Sequence, residues 1–369
     1  MKVLYDYEIF MIQKYGGATR YFYEIISRLV EKEAIKISLY MGFHINKYKL
    51  EQFKEKYENF SGTRIRHLPK TKLILSKIHK PLFDRFEKNI NYDIFHQTYF
   101  NDYKKREGTK RIVTVHDFTH EKLPGYFPKI DNTIAAKEKA IRNADGIICI
   151  SESTKKDLLD LYDIPEDKIK IIYHGNSLLY EITEPPLIKN PYILYVGDRR
   201  AYKNFQLFVK AFKDSKLNEK NYKILCFGGG KLKDAEKKFI ADLKLTDSIY
   251  QIEGTDRELA NAYKYASVFV YPSLYEGFGI PLLEAMHYGC PIIASNASCF
   301  PEIGGDAVLY FKPDDSKDLT EKILLVLEDS NLRDNLVEKG FEREKNFSWQ
   351  KCADQTLEFY KEIQNKIKN

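Results

Sequence analysis

Residues 271–289 read Tyr271-Pro-Ser-Leu-Tyr-Glu-Gly-Phe-Gly-Ile-Pro-Leu-Leu-Glu-Ala-Met-His-Tyr-Gly289. Their pattern is a buried strand from Ser267 to Tyr271, a glycine-rich turn, then a helix. Pro281 suits the first turn of that helix, where a missing N–H costs nothing. Gly289 suits its end. Gly277 and Gly279 permit close approach of backbone amides to a ligand. The helix dipole points its positive end at the same place, which makes an anion site. Glu276 lies in the turn and Glu284 one turn into the helix, eight positions on. Carboxylates beside an anion site repel the anion, so both need another task. Accepting hydrogen bonds from sugar hydroxyls fits them. A site for a nucleotide sugar is the expectation this stretch raises.

Outward from it, strands and helices alternate along the whole chain. That alternation predicts parallel sheets covered by helices on both faces. In the first half, strands are expected near Lys2–Tyr5, Ile35–Phe43, Tyr92–His96, Ile112–His116, Gly146–Ile150 and Ile169–Tyr173. Ser177 to Pro191, with Pro185-Pro186, reads as a linker. The pattern then restarts near Tyr192–Val196, Tyr222–Phe227, Ile249–Glu253, Ser267–Tyr271, Pro291–Ala294 and Val308–Phe311. Helices are expected over Asp315–Asp329 and Leu332–Asn346. Ser348 would cap a last helix running through Ile367. The expected domains are 1–176, 191–347 and a terminal helix over 348–369. Two α/β halves with a deep cleft between them follow, and ligands in such sheets bind outside the carboxyl ends of the strands.

The polar motifs fall at those ends. Gly16-Gly17 opens a helix that runs to about Glu31, a place for a phosphate or an acceptor group. His96 and His116 each stand where a buried strand runs out, and Asp117 follows His116. A neutral imidazole at His116 would bond a sugar hydroxyl or steer an acceptor; a metal site is not expected there, since no further ligands converge. In the second half, Gly197-Asp198-Arg199-Arg200-Ala-Tyr-Lys203-Asn204 brackets a glycine turn with three cations. Arginine grips phosphate in a fork, and lysine supplies a point charge. Gly228-Gly229-Gly230 suits close backbone approach but lacks the remaining parts of a dinucleotide fingerprint. The loop at Thr255 offers backbone contacts to a nucleotide base, or simply a helix cap.

The chain has 369 residues, 43% hydrophobic and 30% charged, enough for about two domains of ordinary size. No apolar run approaches the ~20 residues of a spanning helix. The opening Met1-Lys2-Val3-Leu4 enters a strand without a leader pattern, and a cytoplasmic protein is the expectation. The five cysteines are scattered, so neither a zinc site nor a disulfide framework is expected. Net charge is +6, but Lys47–Lys88 holds twelve Lys/Arg against five Asp/Glu. That segment reads either as a solvated face or as a patch for peripheral contact with anionic lipid or a lipid-phosphate acceptor. Nucleic acid is not an expected partner, for want of a reading motif.

These residues together resemble glycosyltransferase family 4, the retaining enzymes of GT-B fold, over nearly the whole chain. The most specific mark is Glu276 to Glu284 within Pro272–Met286. Gly16-Gly17, His116-Asp117, Gly197–Asn204, and Phe300-Pro301-Glu302 followed by Gly305-Asp306-Ala307 support it. The resemblance implies that Glu276 meets the donor sugar and Glu284 the ribose. It implies the amides of Phe278, Gly279 and Ile280 near the donor, and Lys203 with Arg199 or Arg200 on the diphosphate. Asp198 stands where relatives often carry the arginine, so the two arginines remain alternatives. His116 would lie near the sugar and the acceptor. No metal or other cofactor is implied, and the last helix would cross back to the first domain. The implied partners are a GDP- or UDP-linked sugar and a glycan or lipid-linked glycan acceptor, as in the mannosyltransferases of bacterial surface polysaccharide and lipopolysaccharide. Competing readings are an epimerase or hydrolase on the same donor and a non-catalytic binding scaffold. An oxidoreductase is disfavoured by the absence of a complete glycine fingerprint.

Overall fold

The computed structural model describes residues 1–66, 71–128 and 132–366, without the side chains of 71–74 and 76. Ile367, the expected end of the last helix, lies outside the described residues. The chain forms two units by internal contact: 1–122, 127–174 and 349–369 make one, and 123–126 with 175–348 the other.

The first unit is built on seven parallel strands: β1 (Lys2–Tyr5), β2 (Lys36–His44), β3 (Asn59–Arg64), β4 (Ile94–Gln97), β5 (Lys110–Val115), β6 (Gly146–Cys149) and β7 (Ile169–Ile171). Their spatial order is β3-β2-β1-β4-β5-β6-β7. The central strands are largely buried, as strands covered on both faces must be. β3 is not among the strands the sequence predicts. Its Asn-Phe-Ser-Gly-Thr-Arg is half-polar, and at the sheet edge it is only partly buried. The helix Gly17–Leu29 buries Tyr21, Phe22, Ile25, Ile26 and Leu29 on one face, at helical spacing. A second apolar cluster, around Tyr7, Tyr40, Phe83, Phe95 and Tyr103, is largely aromatic.

The terminal helix Trp349–Asn365 belongs to this first unit. It buries Trp349, Cys352, Leu357, Phe359, Tyr360 and Ile363. The Tyr360 hydroxyl lies 2.6 Å from that of Tyr5 and 2.5 Å from His96 Nδ1. Gly146 in β6 lets this helix lie close, since a Cβ there would come within 2.8 Å of Ile363.

The second unit has six parallel strands: β8 (Tyr192–Val196), β9 (Lys223–Phe227), β10 (Ile249–Ile252), β11 (Val268–Tyr271), β12 (Ile292–Ser295) and β13 (Leu309–Phe311). Their order is β10-β9-β8-β11-β12-β13. In each sheet the order reverses direction beside its first strand. A crevice forms at such a switch point, between β1 and β4 or between β8 and β11, and ligands in doubly wound folds bind there. The core of the second unit packs Phe205, Phe208, Val209 and Phe212 from one helix face against Ile193, Ile224, Val268 and Ile293 of the strands.

The segment 177–191 carries no regular structure but is fastened along the second unit. Asn261 Nδ2 donates to the carbonyls of Glu184 and Pro185, and Asn261 Oδ1 accepts from the Leu187 amide. Lys264 Nζ reaches the Ile182 carbonyl at 2.7 Å. The run that reads as a linker is thus a strap tied to the second unit.

Candidate active site

At the switch point of the second sheet, the loop after β8 meets the loop after β11. Ala201–Lys203 is a single 3-10 turn, and Asn204 ends it in the left-handed region at φ +57°. Asn204 Nδ2 donates to the Pro313 carbonyl at 2.7 Å, which holds that conformation. The Leu274 amide donates to the Tyr202 carbonyl at 2.8 Å and ties one loop to the other. Lys203 and Glu276 are thereby brought together: Nζ to Oε1 is 2.5 Å, with 18% and 15% of the side chains exposed. Burial pulls the Lys203 pKa down most, but the Glu276 charge and hydrogen bond, with Tyr202 and Asp198, together hold the ammonium above its ordinary value. Glu276 is fixed from behind as well. Its amide donates to Ser298 Oγ at 3.0 Å, and Cys299 Sγ contacts its carbonyl at 3.3 Å.

The helix Ile280–His287 starts from Gly279, whose φ is +88°. A side chain there would be strained by that backbone and would meet the Phe300 ring at 3.1 Å. Phe278 is buried beside Phe347, with ring centroids 5.9 Å apart. Glu284, 6% exposed, accepts from the buried Tyr263 hydroxyl at 3.0 Å. Tyr263 comes from the preceding helix, 21 residues back, and nothing in the Glu284 segment announces it.

The two arginines have different fates. The Arg199 side chain is only 2% exposed and pairs with Glu236 at 3.0 Å. Its remaining donors go to the carbonyls of Gly228, Gly229, Gly230 and Lys231, the best at 2.7 Å to Gly230. Three consecutive positive φ values, at Gly228, Gly229 and Gly230, shape this turn. At Gly229 a Cβ would fall 2.3 Å from the Gly197 carbonyl oxygen. The close approach that these glycines allow is therefore to their own neighbouring loop. Arg200 is 56% exposed and bonds Asp198 through Nε and Nη2, at 2.9 and 2.6 Å. Thr255 caps the helix Asp256–Tyr265 in a reciprocal box with Glu258. Its amide donates to Glu258 at 2.7 Å, so the backbone donor expected to face a base is in use.

In the first unit, His116 directly follows β5 in a cage of aromatic rings. Tyr21 stands edge-on at 5.3 Å and Phe22 at 6.2 Å. Burial drives the His116 pKa down to about 4, so the ring is neutral at physiological pH. Its Nε2 is buried with no hydrogen-bond partner among the described residues. Asp117 accepts from the Thr119 amide at 2.9 Å. Lys137, almost fully buried, donates to the Asp117 carbonyl and to Glu121, both at 2.9 Å. His96 is different: Thr114 and Tyr360 occupy both its nitrogens, which makes it an anchor for the terminal helix. Gly16, in extended backbone, and Gly17 open the helix Gly17–Leu29. Gln13 Oε1 accepts from the Thr19 hydroxyl at 3.0 Å and brackets this turn.

The sequence reading passed over two acids at the switch point of the first sheet. Asp6 and Glu8 follow β1 directly. Buried Asp6 accepts from the Thr98 hydroxyl and amide beyond β4. Burial raises its pKa to about 6. Glu8, raised to about 7 by burial and by Asp6, accepts from Asn101 at 3.0 Å. Charged residues directly after a buried strand were the available signal.

Among the described residues no group of His, Cys, Asp and Glu side chains could hold a metal ion, and no helix is long and apolar enough to cross a membrane. The five cysteines are free and buried.

Comparison with known proteins agrees with this arrangement. Residues 15–177 match the family described as Glycosyltransferase Family 4, and residues 182–343 match Glycosyl transferases group 1. The O-antigen chain mannosyltransferase B of Escherichia coli is 28% identical over 71% of this chain and 72% of its own length. Other curated relatives are matched over smaller shares of their own length, from 61% down to 28%. Sucrose-phosphate synthase from Thermosynechococcus elongatus superposes with a TM-score of 0.77 at 19% identity, over 98% of each chain. Anabaena Alr3699/HepE, solved in complex with UDP-glucose, superposes at 0.73 with 15% identity, over 98% of this chain and all of that one. The two family matches run in succession along the chain, the first covering every strand of the first sheet but β1 and the second the whole second sheet, and the chain belongs to the group 1, family 4 glycosyltransferases of GT-B fold.

Proposed function

We propose that the protein transfers a hexose from a nucleotide diphosphate sugar to a glycan or lipid-linked glycan acceptor with retention of anomeric configuration. The observation that carries this reading is the Lys203–Glu276 pair at the switch point of the second sheet. Without a ligand, the ammonium neutralises the carboxylate. An arriving diphosphate takes Lys203 and leaves Glu276 to accept from sugar hydroxyls. In the transfer, the bond from the anomeric carbon to the phosphate oxygen breaks and one to the acceptor oxygen forms on the same face. The acceptor proton passes to the departing phosphate. Stabilising that phosphate is the largest catalytic contribution, supplied by Lys203, Arg200 and the amides of Phe278, Gly279 and Ile280. Arg199 serves as the positioning residue that braces the loop. Glu284 takes the ribose, and the loop at Thr255 borders the base. Residues 191–347 make the donor domain and 1–176 the acceptor domain, where the neutral His116 ring and the Gly16–Gly17 turn serve the sugar and acceptor. No metal or other cofactor takes part in this scheme.

GDP-mannose is the donor we favour over UDP-linked sugars. The likeness to an O-antigen mannosyltransferase supports it, and surface polysaccharide or lipopolysaccharide synthesis at the inner face of the membrane is the matching setting. Thermal melting of the protein with GDP, UDP and their sugars tests the reading, because a ligand stabilises the fold it binds by mass action. GDP-mannose should raise Tm most. A larger rise with UDP-glucose would overturn the choice of donor, and no rise with any nucleotide sugar would overturn the site.

A further inference from the structure

The first unit holds a second concentration of positive charge. A cavity of about 580 Å³ is lined by Lys14, Lys47, Lys49, Arg64 and Arg66, with Tyr15 as an aromatic wall. Lys47 and Lys49 follow β2; Arg64 ends β3 and Arg66 follows it. Lys14 lies in the loop after β1 and the short helix Glu8–Ile12. All three segments leave parallel strands at their carboxyl ends, the edge at which such sheets bind ligands.

The pocket is built rather than fortuitous. Buried Asn46 donates through Nδ2 to the Gln13 carbonyl at 3.0 Å and accepts from the Tyr48 amide at 3.0 Å. The Lys47 amide donates to the Lys14 carbonyl at 3.1 Å, and the Ile65 amide to the His44 carbonyl at 2.9 Å. Lys47 Nζ sits 5.5 Å from the centre of the Tyr15 ring. None of the described residues lining the cavity is acidic. Glu51, whose carboxyl feels the Arg64 charge, is turned to the buried His44 at 3.1 Å and lies outside the lining. Five like charges around one concavity repel one another. A multivalent anion turns that repulsion into attraction. The volume lies within the range of small-molecule sites, which hold far more than a single phosphate.

We propose that this pocket binds a diphosphate ester, distinct from the donor held by the second unit. Its five cations converge from three segments on one space, which suits a compact polyanion better than a diffuse charged sheet. Within the transferase reading, on which this identification alone rests, the ester is the diphosphate group of the acceptor. Tyr15 then covers the ring or chain attached to it.

The test is calorimetric titration of inorganic pyrophosphate into the intact protein at low salt, since screening weakens exposed charges. The protein is presaturated with GDP or UDP, whichever stabilises it. The comparison variant is Lys47→Gln/Arg64→Gln/Arg66→Gln, whose exposed side chains leave the core intact, as its melting should confirm. Pyrophosphate should bind the wild type, and the variant should bind at least tenfold more weakly while holding the nucleotide as before. Equal pyrophosphate affinity in the two proteins would overturn the site. Co-sedimentation with phosphatidylcholine vesicles, with and without phosphatidylglycerol, forms the second arm. If the variant loses only vesicle binding and keeps pyrophosphate, the patch is a membrane surface and the proposal fails. If neither nucleotide stabilises the protein, the donor reading fails by itself. Pyrophosphate titration in a Lys203→Ala background then still decides the pocket.

Discussion

Lys203 and Glu276 form an ion pair that is mostly out of water, and removing either partner strands the other. Loss of one member of a buried pair costs about 3–5 kcal/mol when the survivor finds no replacement. Here the partial exposure of both gives the survivor access to solvent, so the fold should tolerate the change and the chemistry should not. Lys203→Ala is expected to lower turnover by two to three orders of ten, the ~3–4 kcal/mol that one oxyanion partner supplies in comparable sites. Steady-state transfer assays on the pure variant check this. The neighbouring arginines separate by role. Arg199→Ala should lower the unfolding midpoint, because five acceptors around its guanidinium lose their donor. Arg200→Ala should leave the midpoint in place and weaken nucleoside diphosphate binding. Equal midpoints for the two variants would contradict this division. Sequence alone left the arginines as alternatives, since what separates them is a glycine turn thirty residues downstream.

At the scale of elements, the helix Ile280–His287 depends on how it begins. Gly279 needs the left-handed region, and the Phe300 ring fills the space where a side chain would go. Gly279→Ala should destabilise the protein by about 1–2 kcal/mol from the backbone strain alone, measured by urea denaturation, with further loss from displacement of Phe300. An unchanged midpoint would show that the turn has another conformation. Most elements of this kind were legible, because glycine, proline and apolar runs mark them locally. Strand β11, the turn and the helix after it stand nearly where the sequence puts them. β3 was missed because a partly exposed edge strand needs little apolar content. How the linker 177–191 is tied down was not legible, because its partners, Asn261 and Lys264, lie on a helix seventy or more residues away. The bond between Tyr263 and Glu284, 21 residues apart on successive helices, was likewise not legible, though the carboxylate itself was.

At the scale of the molecule, buried titratable groups make stability depend on pH. Glu8 is the sharpest case: burial and Asp6 raise its carboxyl to about 7 in the fold, against an ordinary 4.5. Between those values the folded chain holds a proton that the unfolded chain has lost. The unfolded state binds fewer protons there, so stability falls as pH rises from 4.5 to 7 on account of this group. Glu8→Gln cannot ionise. It should melt higher than the wild type at pH 8, with the difference shrinking as pH falls toward 4.5. A constant difference across that range would refute the assigned cause. Neither Glu8 nor Asp6 was among the residues singled out from sequence, although both follow a buried strand. Their perturbation comes from the folded surroundings, which no local pattern reports.

The proposed donor site centres on the Lys203–Glu276 pair at the switch point of the second sheet. Calorimetric titration of GDP-mannose and GDP into the wild type and Glu276→Ala tests that assignment most directly. The account predicts that the wild type binds GDP-mannose more tightly than GDP, and that Glu276→Ala keeps GDP affinity while losing the extra contribution of the sugar. If the variant loses GDP and GDP-mannose affinity equally, Glu276 does not hold the sugar, and the central assignment is wrong.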